Sequence, residues 1–160
     1  MKTLDILTKI HSYQMSELPE ALRNLVERAK LSVHSSYSPY SHFSVGAAVL
    51  LCDGRIYCGS NQENAAYPSG LCAERTAMFY ANADAPETPV EAIAIAGYTG
   101  GHYTETAAAP CGNCRQVLIE TEHRFGHAMK ILLYSEREVL MFESAKDLLP
   151  LCFVSDNLSS

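Results

Sequence analysis

Residues 71–76, LCAERT, bring Cys72, Glu74 and Arg75 together at the start of an alanine-rich segment. A cysteine thiolate is a strong ligand for transition metals. A carboxylate beside a metal can carry protons during hydrolysis, but it is costly next to a thiolate unless the chemistry needs it. The stretch therefore indicates a metal centre with a proton carrier, provided that the rest of the chain supplies further ligands.

Cys111 and Cys114 supply such ligands in PCGNC, a C-x-x-C pair at the predicted start of a helix. A C-x-x-C pair alone can be a redox dithiol, half of a structural zinc site, or chance. Together with Cys72 there are three thiols, the number that lets a catalytic zinc keep a fourth position for water. A structural zinc would need a fourth Cys or His. The nearby histidines show no ligand spacing: His102, His123 and His127.

Glu74 favours a catalytic zinc over a structural one, because only a hydrolytic site has a use for an acid next to Cys72. Three thiolates around Zn²⁺ carry a net charge of −1, which would weaken the metal as a Lewis acid. Arg75 and the positive ends of two helices would offset that charge. The combined pattern, C-A-E at 72–74 and P-C-G-N-C at 110–114, matches the three-cysteine form of the zinc deaminase motif.

Composition and charge limit the classes of protein to which the chain can belong. With 160 residues, 48% of them hydrophobic and 19% charged, the chain is typical of one globular domain. The net charge of −6 and the lack of a basic stripe argue against a nucleic-acid partner. The longest apolar run, VGAAVLLC, is too short for a membrane span, and the N-terminus lacks export features. We therefore expect a cytoplasmic protein, in which Cys52 and Cys58 are interpreted as small buried residues.

The predicted elements follow the order α-β-β-α-β-α-β-β-α. Helices are expected over Ser16–Lys30, with Ser16 as N-cap, from Cys72 to about Ala83, and after Pro110. Asp53-Gly54 indicates a hairpin. This order predicts an α/β fold with a mixed five-stranded sheet sandwiched by helices. Only SERE separates the last two strands, so they should be antiparallel.

From about Ser16 to Phe153 the chain resembles the small cytidine deaminase family, and four stretches carry the resemblance: YSPYSHFSVGAAVL, NQENAAYPSGLCAERTA, PCGNCRQVL and DLLPLCF. The resemblance implies a cytidine deaminase-like fold, with residues 1–15 as an N-terminal extension and 16–155 as the single catalytic domain. The segment at 97–110 looks longer than is usual in the family.

The same resemblance implies roles for individual residues. Cys72, Cys111 and Cys114 would hold one Zn²⁺ per subunit, and Glu74 would shuttle protons. The remaining positions would contact the nucleoside: Asn61 and Glu63 the ribose hydroxyls, Ala65 and Tyr67 the same loop, Phe43 the pyrimidine, and the backbone of Ala73 the base. The family is usually a homotetramer, in which Phe153 would reach into a neighbour's pocket.

The expected reaction is hydrolytic deamination of cytidine and deoxycytidine to the uracil nucleosides and ammonia, as part of pyrimidine salvage, through zinc-activated water. A blasticidin-type antibiotic deaminase shares the zinc motif, but Glu63 suits a sugar with two hydroxyls. A polynucleotide or tRNA deaminase is disfavoured by the acidic charge and by the SERE hairpin. The non-enzyme alternative is a structural zinc or thiol-redox protein.

Overall fold

Seven strands form one mixed sheet within residues 1–158, the part of the chain that the computed structural model describes. Three helices accompany it: α1 (Glu20–Ser32), α2 (Ala73–Asp84) and α3 (Gly112–Phe125). The strands are β1 (His11–Tyr13), β2 (Ser44–Leu51), β3 (Ile56–Ser60), β4 (Val90–Thr99), β5 (His102–Tyr103), β6 (Lys130–Tyr134) and β7 (Val139–Phe142).

The main path through the sheet is β1-β7-β6-β4-β2-β3, with β5 paired to the end of β4. Among the seven strands of residues 1–158, only β4 and β6 pair in parallel, and α3 lies on the long crossover that a parallel pair needs. β6 and β7 are antiparallel, which confirms the prediction drawn from the short SERE connection. The prediction of a mixed sheet between helices is also confirmed.

The prediction of five strands was too low. β1 lies in the segment predicted as an N-terminal extension and pairs with the edge strand β7, from His11 opposite Met141 to Tyr13 opposite Val139. β5 lies inside the long segment at 97–110 and pairs with the end of β4 through two residue pairs. Both strands are too short to produce a readable alternation of apolar and polar residues. The division of the chain at residues 15 and 16 stays a prediction.

Side chains on the two faces of β4 differ in size. Ile93 and Ile95 point into the core shared with α2 and α3, whereas the alanines at 92, 94 and 96 face α1. Because a strand buried on both faces carries no polar alternation, the segment reads as a continuous apolar run. Larger residues therefore fill the side that carries the two cysteine-bearing helices.

Helix α1 starts four residues later than predicted. Its N-cap is Pro19, and Met15–Glu17 forms a separate 3₁₀ turn, so Ser16 caps no helix. Proline has no backbone N–H and fixes its own φ, which suits a helix start better than a helix interior.

Cys52 was interpreted as buried, and this was wrong: the side chain is exposed, because β2 ends at Leu51 and Cys52 begins the turn of the hairpin. Cys58 is half-buried and packs against the α1 side of the sheet. Within residues 1–158, none of the helices combines the length and hydrophobicity that a bilayer span requires.

Candidate active site

Three sulfur atoms converge between α2 and α3. The Sγ atoms of Cys72 and Cys111 lie 3.8 Å apart, those of Cys111 and Cys114 lie 3.6 Å apart, and all three fall within 4.8 Å of one another. A tetrahedral zinc bound at about 2.3 Å from each sulfur requires sulfur–sulfur distances of about 3.8 Å. The thiols therefore fit one zinc ion.

Both helices begin at a cysteine. Cys72 is the N-cap of α2 and Cys111 is the N-cap of α3, and each cap carbonyl accepts the first helical hydrogen bond, from Thr76 and Arg115. The first N–H groups of a helix have no partner within the helix and carry a partial positive charge. Two helix N-termini therefore help to stabilise negative charge on the thiols.

Arg75 adds a full positive charge to this environment. Its Nη2 donates to Cys72 Sγ at 3.7 Å. A hydrogen bond from Cys114, followed by that from Arg75, lowers the pKa of Cys72 to about 5. The hydrogen bond to Cys72, together with burial, raises the pKa of Cys114. Zinc binding would release the protons of the thiols, because each cysteine binds the metal as a thiolate.

Glu74 lies in the first turn of α2 and is only 5% exposed. Burial raises the pKa of its carboxyl, and the nearby Cys72 adds to the effect. A raised pKa makes a carboxylate a stronger base, so that it takes up a proton more readily before passing it on. The position and the environment of Glu74 suit a proton carrier beside the metal.

Two adjoining pockets open at this centre. The inner one, about 200 Å³, reaches Glu74; the outer one, about 530 Å³, reaches Arg75; and Asn61 and Cys72 line both. Together they offer a small apolar end beside the thiols and a larger, more polar entrance, as a nucleoside with a flat base and a hydroxylated sugar would need. The inner lining includes Phe43, Val45, Ala73, Ile95, Ala108, Ala109 and Cys111.

Asn61 makes more hydrogen bonds within the chain than the sequence suggests. Its Oδ1 accepts from Val45 N at 2.7 Å and from Ser36 Oγ at 2.6 Å, and its Nδ2 donates to Phe43 O at 2.9 Å. An amide group offers two donor hydrogens and two acceptor positions. Within the described chain, one Nδ2 hydrogen therefore remains available to a ligand. The other hydrogen bonds of the amide hold the backbone and Ser36 in place at the pocket entrance.

Glu63 lies in the outer pocket and is oriented by the neighbouring loop. Its Oε2 accepts from the backbone N–H of Tyr40 at 2.9 Å and of Ser41 at 3.2 Å. Hydrogen bonding from Ser41 and Tyr40 lowers the pKa of the carboxyl, which is thus ionised at neutral pH. A carboxylate held in this way can accept hydrogen bonds from sugar hydroxyls.

The loop at 61–71 is closed at its ends by two reciprocal backbone hydrogen bonds between Gln62 and Leu71, each 2.9 Å long. Tyr67 lines the outer pocket and stacks edge-on against Tyr40, with ring centroids 6.1 Å apart. Ala65 is exposed on the same loop, outside the linings of both pockets. Its predicted contact stays a prediction.

Phe153 lies outside both pocket linings and is 59% exposed, with its carbonyl accepting from Gln116 Nε2 at 2.8 Å. The predicted position of this ring in a neighbouring subunit is not tested by a single chain. In the single chain, Phe153 is therefore a large apolar side chain at the surface.

Other residues that shape the site were not predicted. Ala108 and Ala109, from the long segment before Pro110, line the inner pocket. Gly97 faces Phe43, whose Cζ would lie 3.1 Å from a Cβ at that position. Arg115 Nε donates to Pro110 O at 2.9 Å and holds the turn before Cys111. The small residues before PCGNC were the feature of the sequence that could have identified this part of the pocket lining. Only short side chains leave room for a ligand in so small a pocket.

The sequence and the fold match known proteins. A family model described as the cytidine and deoxycytidylate deaminase zinc-binding region matches residues 19–126. Cytidine deaminase from Sporosarcina psychrophila is 37% identical over 138 residues, which cover 86% of this chain and 95% of the relative. The one from Halalkalibacterium halodurans is 41% identical over 96 residues, covering 60% and 68%. The crystal structure of cytidine deaminase from Burkholderia pseudomallei is 42% identical, covers 81% of this chain and 97% of its own, and superposes with a TM-score of 0.70.

Proposed function

This chain belongs to the zinc-binding cytidine and deoxycytidylate deaminase family, and on that basis we propose that it deaminates both cytidine and deoxycytidine hydrolytically. The products would be uridine or deoxyuridine and ammonia, for pyrimidine salvage in the cytoplasm. The observation that carries the proposal is the position of Glu74, buried and with a raised pKa, beside Cys72 and Cys111 in the lining of the inner pocket, with Cys114 next to these two thiols.

Binding of the base is assigned to the inner pocket. Phe43 packs against the pyrimidine ring, and the backbone of Ala73 contacts its polar edge. Ala73 is fully buried in the first turn of α2, where the N–H groups lack helical partners. The closeness of Gly97 to Phe43 supports this placement, because it leaves the aromatic ring little room to move away from the substrate.

Binding of the sugar is assigned to the outer pocket. The ionised carboxylate of Glu63 accepts hydrogen bonds from the ribose hydroxyls, and the remaining Nδ2 hydrogen of Asn61 donates to one of them. Deoxycytidine keeps the 3′-hydroxyl and should still bind. A bulky substituent in place of the ribose would lose these contacts and leave the carboxylate unpaired.

Glu74 is assigned the proton transfers. The zinc held by Cys72, Cys111 and Cys114 supplies an activated water molecule when it is bound. Glu74 takes one proton from the attacking water and delivers it to N3 of the ring, while the oxygen adds to C4. Glu74 then moves the second proton to the amino group as the C4–N bond breaks, which gives ammonia and the C4 carbonyl.

The proposed assembly is a homotetramer. Exposed apolar side chains on the described chain support association, among them Phe79 and Tyr80 on α2 and Leu151 and Phe153 near the C-terminus. Light scattering after size-exclusion chromatography measures the mass. A tetramer supports the proposal, and a monomer at assay concentration contradicts it.

A substrate panel tests the reaction. Zinc-loaded protein is mixed with cytidine, deoxycytidine or blasticidin S, and the ultraviolet change is followed together with ammonia release. Turnover of cytidine and deoxycytidine supports the proposal. Turnover of blasticidin S alone would keep the chemistry but contradict the sugar assignment of Asn61 and Glu63, and turnover of none would contradict the proposed activity.

A further inference from the structure

A second group of metal-ligand side chains lies outside the active site. Cys52 follows β2, Glu91 lies in β4, and His127 comes two residues after α3. His127 Nε2 lies 3.4 Å from Cys52 Sγ and 3.2 Å from Glu91 Oε2, and Cys52 Sγ lies 3.9 Å from Glu91 Oε2. Three elements distant in sequence thus place a sulfur, a nitrogen and an oxygen around one point.

This group is separate from the three catalytic thiols. Cys111 caps the start of α3, and His127 follows its end. A helix of 14 residues is about 21 Å long. A metal held by Cys52, Glu91 and His127 would therefore not touch the nucleoside or the catalytic zinc.

The distances fit a tetrahedral metal. Zinc bonds of about 2.3 Å to sulfur and about 2.0 Å to nitrogen and oxygen imply edges of about 3.5 Å for S–N, about 3.3 Å for N–O and about 3.5 Å for S–O. The first two edges agree with the observed 3.4 and 3.2 Å within 0.2 Å, and the third, at 3.9 Å, is longer by a few tenths. Mixed S, N and O donors suit zinc better than magnesium or calcium.

A nucleophilic triad fits the geometry less well. In a relay, the histidine uses one ring nitrogen for the thiol and the other for the carboxylate. Here both Cys52 and Glu91 contact the same atom, His127 Nε2. One nitrogen cannot serve both partners in a relay, whereas convergence on one point is what a metal requires.

A neighbouring lysine holds the carboxylate of this group in place. Lys130 Nζ donates to Glu91 Oε1 at 2.8 Å, which fixes the carboxylate and leaves Oε2 directed at the cluster. Cys52 would bind a metal as the thiolate, so metal binding would release its proton.

We propose that Cys52, Glu91 and His127 form a second zinc site, separate from the catalytic centre, with the fourth position open to water. The ligands are accessible: Cys52 is exposed, and the side chains of His127 and Glu91 are 40% and 34% exposed. The metal would join the end of the β2–β3 hairpin, the start of β4 and the end of α3. It stabilises the folded chain without entering the reaction.

The test counts zinc in the holoenzyme. Purified wild-type protein and the variants Cys52→Ser and His127→Gln are dialysed against buffered micromolar zinc, and metal and protein are measured by elemental analysis. Each variant should hold one zinc ion fewer per chain than the wild type at undiminished turnover. His123→Gln is the matched control: it lies at the same end of α3, beside Ser155 and Asp156, and should keep the wild-type count.

Cobalt substitution gives a second readout. When the proteins are loaded with Co²⁺, Cys52→Ser should show less thiolate-to-cobalt absorption than wild type. His123→Gln should show the same absorption as wild type. Equal zinc counts and equal cobalt spectra in wild type and Cys52→Ser would overturn the proposal. The count is independent of turnover, so an inactive protein that still binds the extra zinc would contradict the proposed function and leave this site standing.

Discussion

The guanidinium Nη2 of Arg75 lies 3.7 Å from the Sγ of Cys72, three residues away across the first turn of α2. Three thiolates on one zinc would carry more negative charge than the metal neutralises, and Arg75 contacts one of these three sulfur atoms. The Nε of the same guanidinium is buried without a hydrogen-bond partner in the described chain. A buried donor without a partner lowers the stability of the folded chain. We therefore attribute the role of Arg75 to its charge beside Cys72 rather than to stabilisation of the fold.

Replacing this charge should slow the reaction. Arg75→Gln is expected to retain zinc and to lower kcat about tenfold or more, which corresponds to about 1.4 kcal/mol of lost electrostatic stabilisation. Arg75→Lys should recover part of the loss. Steady-state kinetics with zinc analysis measures both, and Arg23→Gln, on the exposed face of α1, is the control. Unchanged kcat in Arg75→Gln would show that the thiolates need no such compensation.

Removing the carboxylate of Glu63 should weaken nucleoside binding more than catalysis. Glu63→Gln is expected to raise KM for cytidine about tenfold, since a charge-assisted hydrogen bond contributes about 1.5–3 kcal/mol. Its effect on kcat should be small. Initial rates over a range of cytidine concentrations separate the two, with the exposed Glu87→Gln as control. An unchanged KM would remove Glu63 from the sugar site.

The close contact between β3 and α2 leaves no room for a side chain at Gly59. A Cβ at Gly59 would lie 2.5 Å from Ala77 N and 2.9 Å from Ala73 O, so Gly59→Ala must push α2 away from the sheet. We expect a loss of about 1–3 kcal/mol in the free energy of unfolding. Zinc affinity should also fall, because the start of α2 carries Cys72.

Urea unfolding and zinc analysis check this prediction. Gly112→Ala is the control, because a Cβ there meets no atom within 4 Å. Equal stability of the Gly59→Ala variant and the wild type would mean that α2 adjusts without cost, contrary to the backbone contact seen here.

A buried carboxylate connects the end of α3 to the segment after β7. Glu122, 5% exposed, accepts from the backbone N–H of Met129 at 3.2 Å and of Ala145 at 2.7 Å, and from Ser144 Oγ at 2.6 Å. Glu122→Ala leaves these donors unpaired and should lower the free energy of unfolding by at least about 2 kcal/mol. Glu120→Ala, exposed on the same helix, should change it little. Urea denaturation compares the two, and similar values would contradict this role.

Short-range patterns predicted the parts of the site that lie within one stretch of sequence. Cys72 and Glu74 share one turn, and Cys111 and Cys114 share another, so helical spacing sufficed to bring each pair together. That α2 and α3 bring Cys72 within 3.8 Å of Cys111 depends on the sheet order, which the sequence predicts only in outline.

Contacts between distant segments were missed for the same reason. Cys52 and His127 are 75 positions apart, and no local spacing connects them. The hydrogen bonds of Asn61 to Ser36 and Val45 were equally invisible, although they decide how much of the amide can meet a ligand. β1 and β5 are too short to carry a periodic signal, and their strand character comes only from their pairing with β7 and β4.

The most direct test of the central claim is the rate of cytidine deamination by Glu74→Gln, compared with wild type at equal occupancy of the catalytic zinc. The substitution keeps the size and the burial of the side chain but removes its capacity to carry protons. Because general acid–base catalysis contributes about 10²–10⁴-fold, we predict a fall in kcat of at least about 10²-fold while zinc remains bound. Turnover close to that of the wild type would contradict the assignment of Glu74 as the proton carrier.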